Sequence, residues 1–263
     1  MALNRSQFFT LSAALILFLA LYLGFSTTPG SQKTVERSRA IQAESSGFEA
    51  LLDDAKAHLK AGELSALEAL DQQTAETNPD SVRIAALKKL SGWWFAQGNI
   101  PVAGGYAEKV AELEHTDAAW SVAGATYYQA LIGQQSPELR DYCGARALKS
   151  FESAISLNPE SVEHRVNQAL VYAENPPKDM PMKAVMLLRE LENKFPESPV
   201  VYNALGRLAI KTGQWERAIQ RLEKAWSLDR KNANTPCLLA RAYEGAGKAA
   251  QAAEFAEYCQ NNQ

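Results

Sequence analysis

Apolar positions along this chain fall into two regimes. From Phe8 to Phe25 they run together as FFTLSAALILFLALYLGF, 18 residues without a charge. From residue 47 onward they recur at helical spacing, with polar faces between them and Gly or Pro as punctuation. No alternating run of strand-forming residues occurs and alanine is abundant, so helix is predicted throughout.

The first regime has the length of a membrane span. As a helix it would extend roughly 27 Å at ~1.5 Å per residue, close to the hydrocarbon core of a bilayer. A buried soluble helix would show a polar face, and this run offers only Thr10 and Ser12. A cleaved signal peptide has a shorter core ending at small-x-small, and Gly24 and Ser26 around Phe25 make a poor site of that kind. No cysteine directly follows, which excludes a lipoprotein anchor. The chain is therefore expected to comprise a tail (1–7), a single transmembrane helix (8–25), a linker (26–46) and a helical-repeat domain (47–263). The linker, STTPGSQKTVERSRAIQAESS, would space the domain off the bilayer. Arg5 precedes the span, and Lys33, Arg37 and Arg39 follow it, a count that favours a cytoplasmic domain. Short N-terminal tails usually stay inside, however, and long domains translocate regardless of charge. The reading adopted is a bacterial inner-membrane protein with a periplasmic domain, with a cytoplasmic domain as the alternative.

The second regime repeats. Shifted by 34 residues, the segment from Tyr202 lies over the segment from Pro236. Leu205 then falls on Leu239, Gly206 on Ala240, Gly213 on Gly247, Ala218 on Ala252 and Ala225 on Cys259. Two antiparallel helices that cross closely need small residues where their backbones meet, and Gly206, Ala218, Ala225, Ala240 and Ala252 supply them. Tyr202, Leu205, Leu222 and Tyr243 fill the space between neighbouring pairs. Gly213 and Gly247 suit the tight turn inside each pair, where positive φ favours glycine.

Further units share this phase. Ala147, Phe151, Ala154, Asn158 and Pro159 form one second-helix pattern, and Ala184, Leu188, Leu191 and Pro196 form another. Trp120, Gly124 and Tyr127 form a first-helix pattern, and Tyr172 closes one more. An earlier unit has Leu87, Leu90, Trp94, Gly98, Ala103 and Ala107, and a degenerate one runs from Phe48 to Pro79 with Gly62 at its expected turn. On these residues the chain resembles the tetratricopeptide repeat family. That resemblance implies an all-α solenoid, a right-handed superhelix of helix hairpins in five or six units, stable only through contacts between neighbours. Two units depart from the pattern. One is about 11 residues too long, with the excess expected between its helices around QQSPELRDYCG. The next is about three too long around ENPPKDMP, where Pro176, Pro177 and Pro181 bar helix. Insertions in solenoids map to loops on one edge.

In this family the first helix of each unit lines a concave groove. Its exposed positions here are Tyr128, Gln129, Glu163, Asn203, Arg207, Lys211, Asn234, Arg241 and Glu244. Arg207 and Arg241 share one repeat position and should stack side by side, with Lys211 a turn from Arg207. This basic strip would bind an acidic peptide through charge-assisted hydrogen bonds, unless Arg241 instead pairs with Glu244 on a solvated face. The carboxylate-clamp set of co-chaperones is absent. Ser121 and Ala125 stand where its first members would be, only Asn167 fits a slot, and Val200 and Ala204 replace the later basic residues. The alanine-rich final helix is expected either to tolerate solvent or to dock a partner or a second copy.

Composition narrows the remaining classes. Net charge is −3 with no long basic block, so no nucleic-acid partner is expected. Three histidines and three cysteines show no metal-ligand spacing, and no cofactor is implied. Cys237 and Cys259 would approach each other across an antiparallel hairpin, either bonded or as two small buried residues. No Gly-rich phosphate loop, nucleophile elbow or His-Glu-x-x-His occurs, so no enzyme is expected. The function expected is a membrane-anchored scaffold for protein–protein interaction or complex assembly at the cell envelope. A client-holding co-chaperone and a permanent structural subunit of a membrane complex are the alternatives.

Overall fold

The computed structural model describes residues 47–261. The expected transmembrane segment 8–25 and its linker lie outside the described residues, and no described helix is long and apolar enough to cross a membrane. The described residues from Ala55 onward belong to one compact unit. The described residues form helices joined by short loops, and no strand occurs among them.

Helix α1 covers 47–57. It is followed by α2 (Ala61–Asp71), α3 (Asp80–Ala96), α4 (Ile100–Glu114), α5 (Asp117–Gly133) and α6 (Pro137–Leu157). Then come α7 (Val162–Glu174), α8 (Lys183–Lys194), α9 (Pro199–Lys211), α10 (Trp215–Leu228), α11 (Asn234–Gly245) and α12 (Ala249–Asn261). From α3 onward they pair as five consecutive hairpins, each helix packing on the next. In addition α5 touches α7, α7 touches α9, and α9 touches α11, so the first helices of successive hairpins form one row.

Local signals explain the boundaries. Ser136, with Pro137 after it, opens α6 by accepting from Leu139 N at 3.3 Å. Thr116 and Ser161 cap α5 and α7 in the same way. Gly213 and Gly247 adopt φ of +69° and +74° in the intra-hairpin turns, as the 34-residue beat requires. In α10 the buried residues Ala218, Ile219, Leu222, Ala225 and Trp226 form one apolar stripe at i, i+1, i+4, i+7 and i+8. That stripe packs against Leu239, Ala242 and Tyr243 of α11. A Cβ placed on Gly206 would lie 2.5 Å from Leu222 Cγ, so the α9–α10 crossing admits no side chain there.

Two local expectations need correction, and one open alternative is decided. Gly62 lies inside the first turn of α2, and the turn before it is formed by His58–Lys60. The excess around QQSPELRDYCG is mostly helix: Gln134–Ser136 is a short link, and the remainder lengthens α6 to 21 residues. Arg140, on this extension, donates to Leu131 O at 2.9 Å and Glu174 O at 3.1 Å, closing the C-termini of α5 and α7. The second excess is the loop 175–182, as the prolines demanded, and Asn175 ties it to Asp141 of α6 at 3.1 Å. Finally, Cys237 and Cys259 are not two separate buried thiols. They form a disulfide between α11 and α12, while Cys143 is free and buried.

A polar group sits inside the α4–α5–α6 packing. The Glu108 carboxylate is almost fully buried, accepts from Tyr127 OH at 3.2 Å and pairs with Arg146. Burial raises the Glu108 pKa, against the opposing pull of the Arg146 charge.

Candidate functional site

The row of first helices encloses a groove of about 760 Å³. Because α5, α7, α9 and α11 are phased alike, each presents an equivalent stripe to it. Val166, Leu170, Leu208 and Leu238 contribute apolar surface, and Arg207, Lys211 and Arg241 contribute charge. Glu174 is the single carboxylate in the lining, so cations exceed anions three to one.

The three cations differ in their partners. Lys211 Nζ donates to Glu174 Oε2 and to Ala173 O, both at 2.7 Å. Arg207 reaches Tyr128 OH at 3.4 Å, a long and weak contact. No ion pair holds Arg241 among the described residues, and in particular none joins it to Glu244. Both arginines are exposed. Burial raises the Tyr128 pKa, with the Arg207 charge opposing, so its hydroxyl stays protonated and can donate to an anion. Asn203 Oδ1 accepts from Thr235 Oγ1 at 3.0 Å, linking α9 to α11. Asn232 Oδ1 accepts from the backbone N–H groups of Asn234 and Thr235 at 3.0 and 3.2 Å, fixing the start of α11.

Of the nine positions read from the sequence, Tyr128, Asn203, Arg207, Lys211, Asn234 and Arg241 line this groove. Gln129, Glu163 and Glu244 are exposed and do not line it. Glu163 accepts from Ser161 Oγ at 3.3 Å and so belongs to the N-terminus of α7. The lining also includes Asn167, Glu174 and Leu238, which the nine omit. Glu174 had a usable signal: it stands 37 residues before Lys211, one repeat plus the three-residue excess. The groove holds guanidinium, ammonium, amide and phenol groups above an apolar surface, a set suited to gripping an extended chain that carries carboxylates.

No protein-family model matches the chain. No curated protein matches it in sequence. Among solved structures the chain is similar to a crystal structure of MamA protein at 18% identity and a TM-score of 0.40, over 68% of this chain and 91% of that one. It is similar at the same identity and TM-score to MamA from residue 41 to its end, from Desulfovibrio magneticus RS-1, over 68% of this chain and 94% of that one.

Proposed function

We propose that this chain is a membrane-anchored tetratricopeptide-type scaffold that holds an acidic segment of another protein in the groove formed by α5, α7, α9 and α11. The observation that carries this reading is the cluster of Arg207, Lys211 and Arg241 over apolar side chains on one continuous wall. Arg241 in particular faces the groove with no ion pair among the described residues, so an incoming carboxylate would displace none of them there. The lining brings together no nucleophile with a base beside it, which favours binding over catalysis.

Tethering through residues 8–25 would raise the effective concentration of whatever the groove holds near the bilayer. The Cys237–Cys259 disulfide favours an oxidising compartment, and with it a periplasmic rather than a cytoplasmic domain. Protease accessibility in spheroplasts tests that placement.

The binding claim is tested on the full chain in mild detergent by fluorescence anisotropy. The probes are a labelled peptide rich in Asp, Glu and Leu, and its Asn/Gln counterpart. The acidic peptide is expected to bind more tightly, and rising salt should weaken it. R207E/R241E is expected to lower its affinity by about tenfold or more, equivalent to ~1.4 kcal/mol. Equal binding of the two peptides, or an unchanged affinity in the reversed variant, would refute the proposal.

A further inference from the structure

Away from the groove, one feature of the 175–182 loop has no role in the hairpin stack. The chain has four methionines, and the three beyond Met1 fall within seven residues, Met180, Met182 and Met186. Methionine is ordinarily among the more buried residue types. Here the three are 44%, 58% and 59% exposed, and none of them belongs to a core cluster. Met182 occupies the N-cap of α8 without any side-chain hydrogen bond, where Ser, Asp or Asn would favour the helix. Neither packing nor capping therefore accounts for them.

The backbone beneath them is held in place. Met180 N donates to Pro177 O, Lys183 N to Met180 O and Met186 N to Met182 O, each at 3.1 Å. The last bond closes a helical turn, so positions 182 and 186 lie on one side of it, and Met180 opens the turn just before them. Pro176, Pro177 and Pro181 stiffen the approach. Each thioether sits on three rotatable bonds, which gives the sulfurs latitude to approach one another.

Three neutral thioethers carried within seven residues match the ligand preference of a soft monovalent cation. Harder sites are not assembled: no cluster of His, Cys, Asp or Glu placed to hold a metal ion occurs among the described residues. We propose that Met180, Met182 and Met186 form a three-sulfur site for Cu(I) or Ag(I) at the edge of the repeat domain, separate from the groove. A thioether carries no proton to displace, so this affinity should stay level between about pH 5 and pH 8, unlike that of a His or Cys site.

The test uses Ag(I), which needs no reductant that would open the Cys237–Cys259 bond. The full chain in detergent, labelled at its methionine methyl groups, is titrated with Ag(I) and followed by NMR. Three of the four methyl resonances are expected to shift together, with equal affinity across that pH range. M180L/M182L/M186L keeps the apolar bulk at exposed positions and should lower the affinity at least about tenfold, with M186L alone intermediate. Methyl resonances that do not respond, an undiminished affinity in the triple variant, or an affinity that collapses below about pH 6.5 as histidine protonates, would each overturn the proposal.

Discussion

Opening the Cys237–Cys259 bond should loosen one end of the repeat stack and leave the rest intact. In the structure α12 packs on α11 and has no further hairpin beyond it among the described residues. Apart from the bond, its anchor is mainly Phe255, stacked on Tyr243 at 5.5 Å and set edge-on to Trp226 at 6.4 Å. Much of the remaining surface of α12 is exposed alanine and polar residue. The bond joins residues 22 apart in sequence. Closing a loop of about that length removes roughly 3 kcal/mol of unfolded-state chain entropy on the loop-closure model. Because solenoid stability is a sum over neighbours, this loss should appear locally at the terminal hairpin. At about 1.4 kcal/mol per decade, amide exchange in α12 should accelerate by on the order of 100-fold.

The assay is hydrogen exchange with mass spectrometry on oxidised and reduced protein, with C237S/C259S as the permanent counterpart. Protection should fall in α12 and in part of α11, while α3–α8 stay unchanged. Alkylation gives an independent check. Burial pushes the Cys143 thiol up to about 12, so it should stay unlabelled in the folded protein, and two labels should appear only after reduction. Identical α12 exchange in both redox states would refute the local-anchor reasoning, and protection lost across the whole stack would refute the neighbour-sum argument.

Other perturbations probe the packing directly. Gly206→Val places a branched side chain where Leu222 already lies 2.5 Å from a hypothetical Cβ, and should cost about 1–3 kcal/mol in denaturant unfolding. Glu108→Ala strips the carboxylate from a mostly buried Arg146 and should cost about 3–5 kcal/mol, seen as a marked fall in Tm. Asp117 accepts from His164 at 3.0 Å and from Asn158 at 2.9 Å, and the His164 bond leads in holding its pKa below the usual 3.8. A depressed carboxylate pKa favours the folded state above about 3.8, and that contribution disappears as pH falls through the lower folded value. Asp117→Asn should therefore flatten this part of the acid limb of a stability-versus-pH curve.

The hairpin stack was legible because its demands are local and periodic. A turn that needs positive φ selects glycine at 213 and 247, and a tight crossing selects Gly206 opposite Leu222. Where the period was disturbed, reading by phase failed. The long unit looked like a loop because extra residues in a solenoid are usually loops. Yet ELRDYCG contains no interior breaker, and Ser136–Pro137 ahead of it is a helix start, so the chain extended α6 instead. The same shift of phase hid Glu174, whose equivalence to Lys211 appears only after the three-residue excess is counted. Glu163 was misplaced for another reason. It shares an exposed helix face with groove residues, but it stands in the first turn beside Ser161, where local capping geometry claims its carboxylate. The two cysteines could be placed near each other from the hairpin, but proximity alone does not decide between a bond and two packed thiols.

The groove and the disulfide are physically connected through α11. Cys237 and Arg241 stand four residues apart, one helical turn, and both line the groove. The orientation of the Arg241 guanidinium therefore depends on what fixes that face of α11. On one side Asn203 of α9 accepts from Thr235, and Leu239, Ala242 and Tyr243 pack against α10. On the other side α12 and its disulfide hold the helix. Lys211 is already engaged by Glu174, so the proposed acidic segment would draw chiefly on Arg207 and Arg241, and the second of these stands one turn from the disulfide. A covalent bond beside Arg241 would cost little where folding takes place under oxidising conditions. It keeps the more open cation of the pair in register with its neighbour one repeat away, which two packed thiols on an alanine-rich helix would do less firmly.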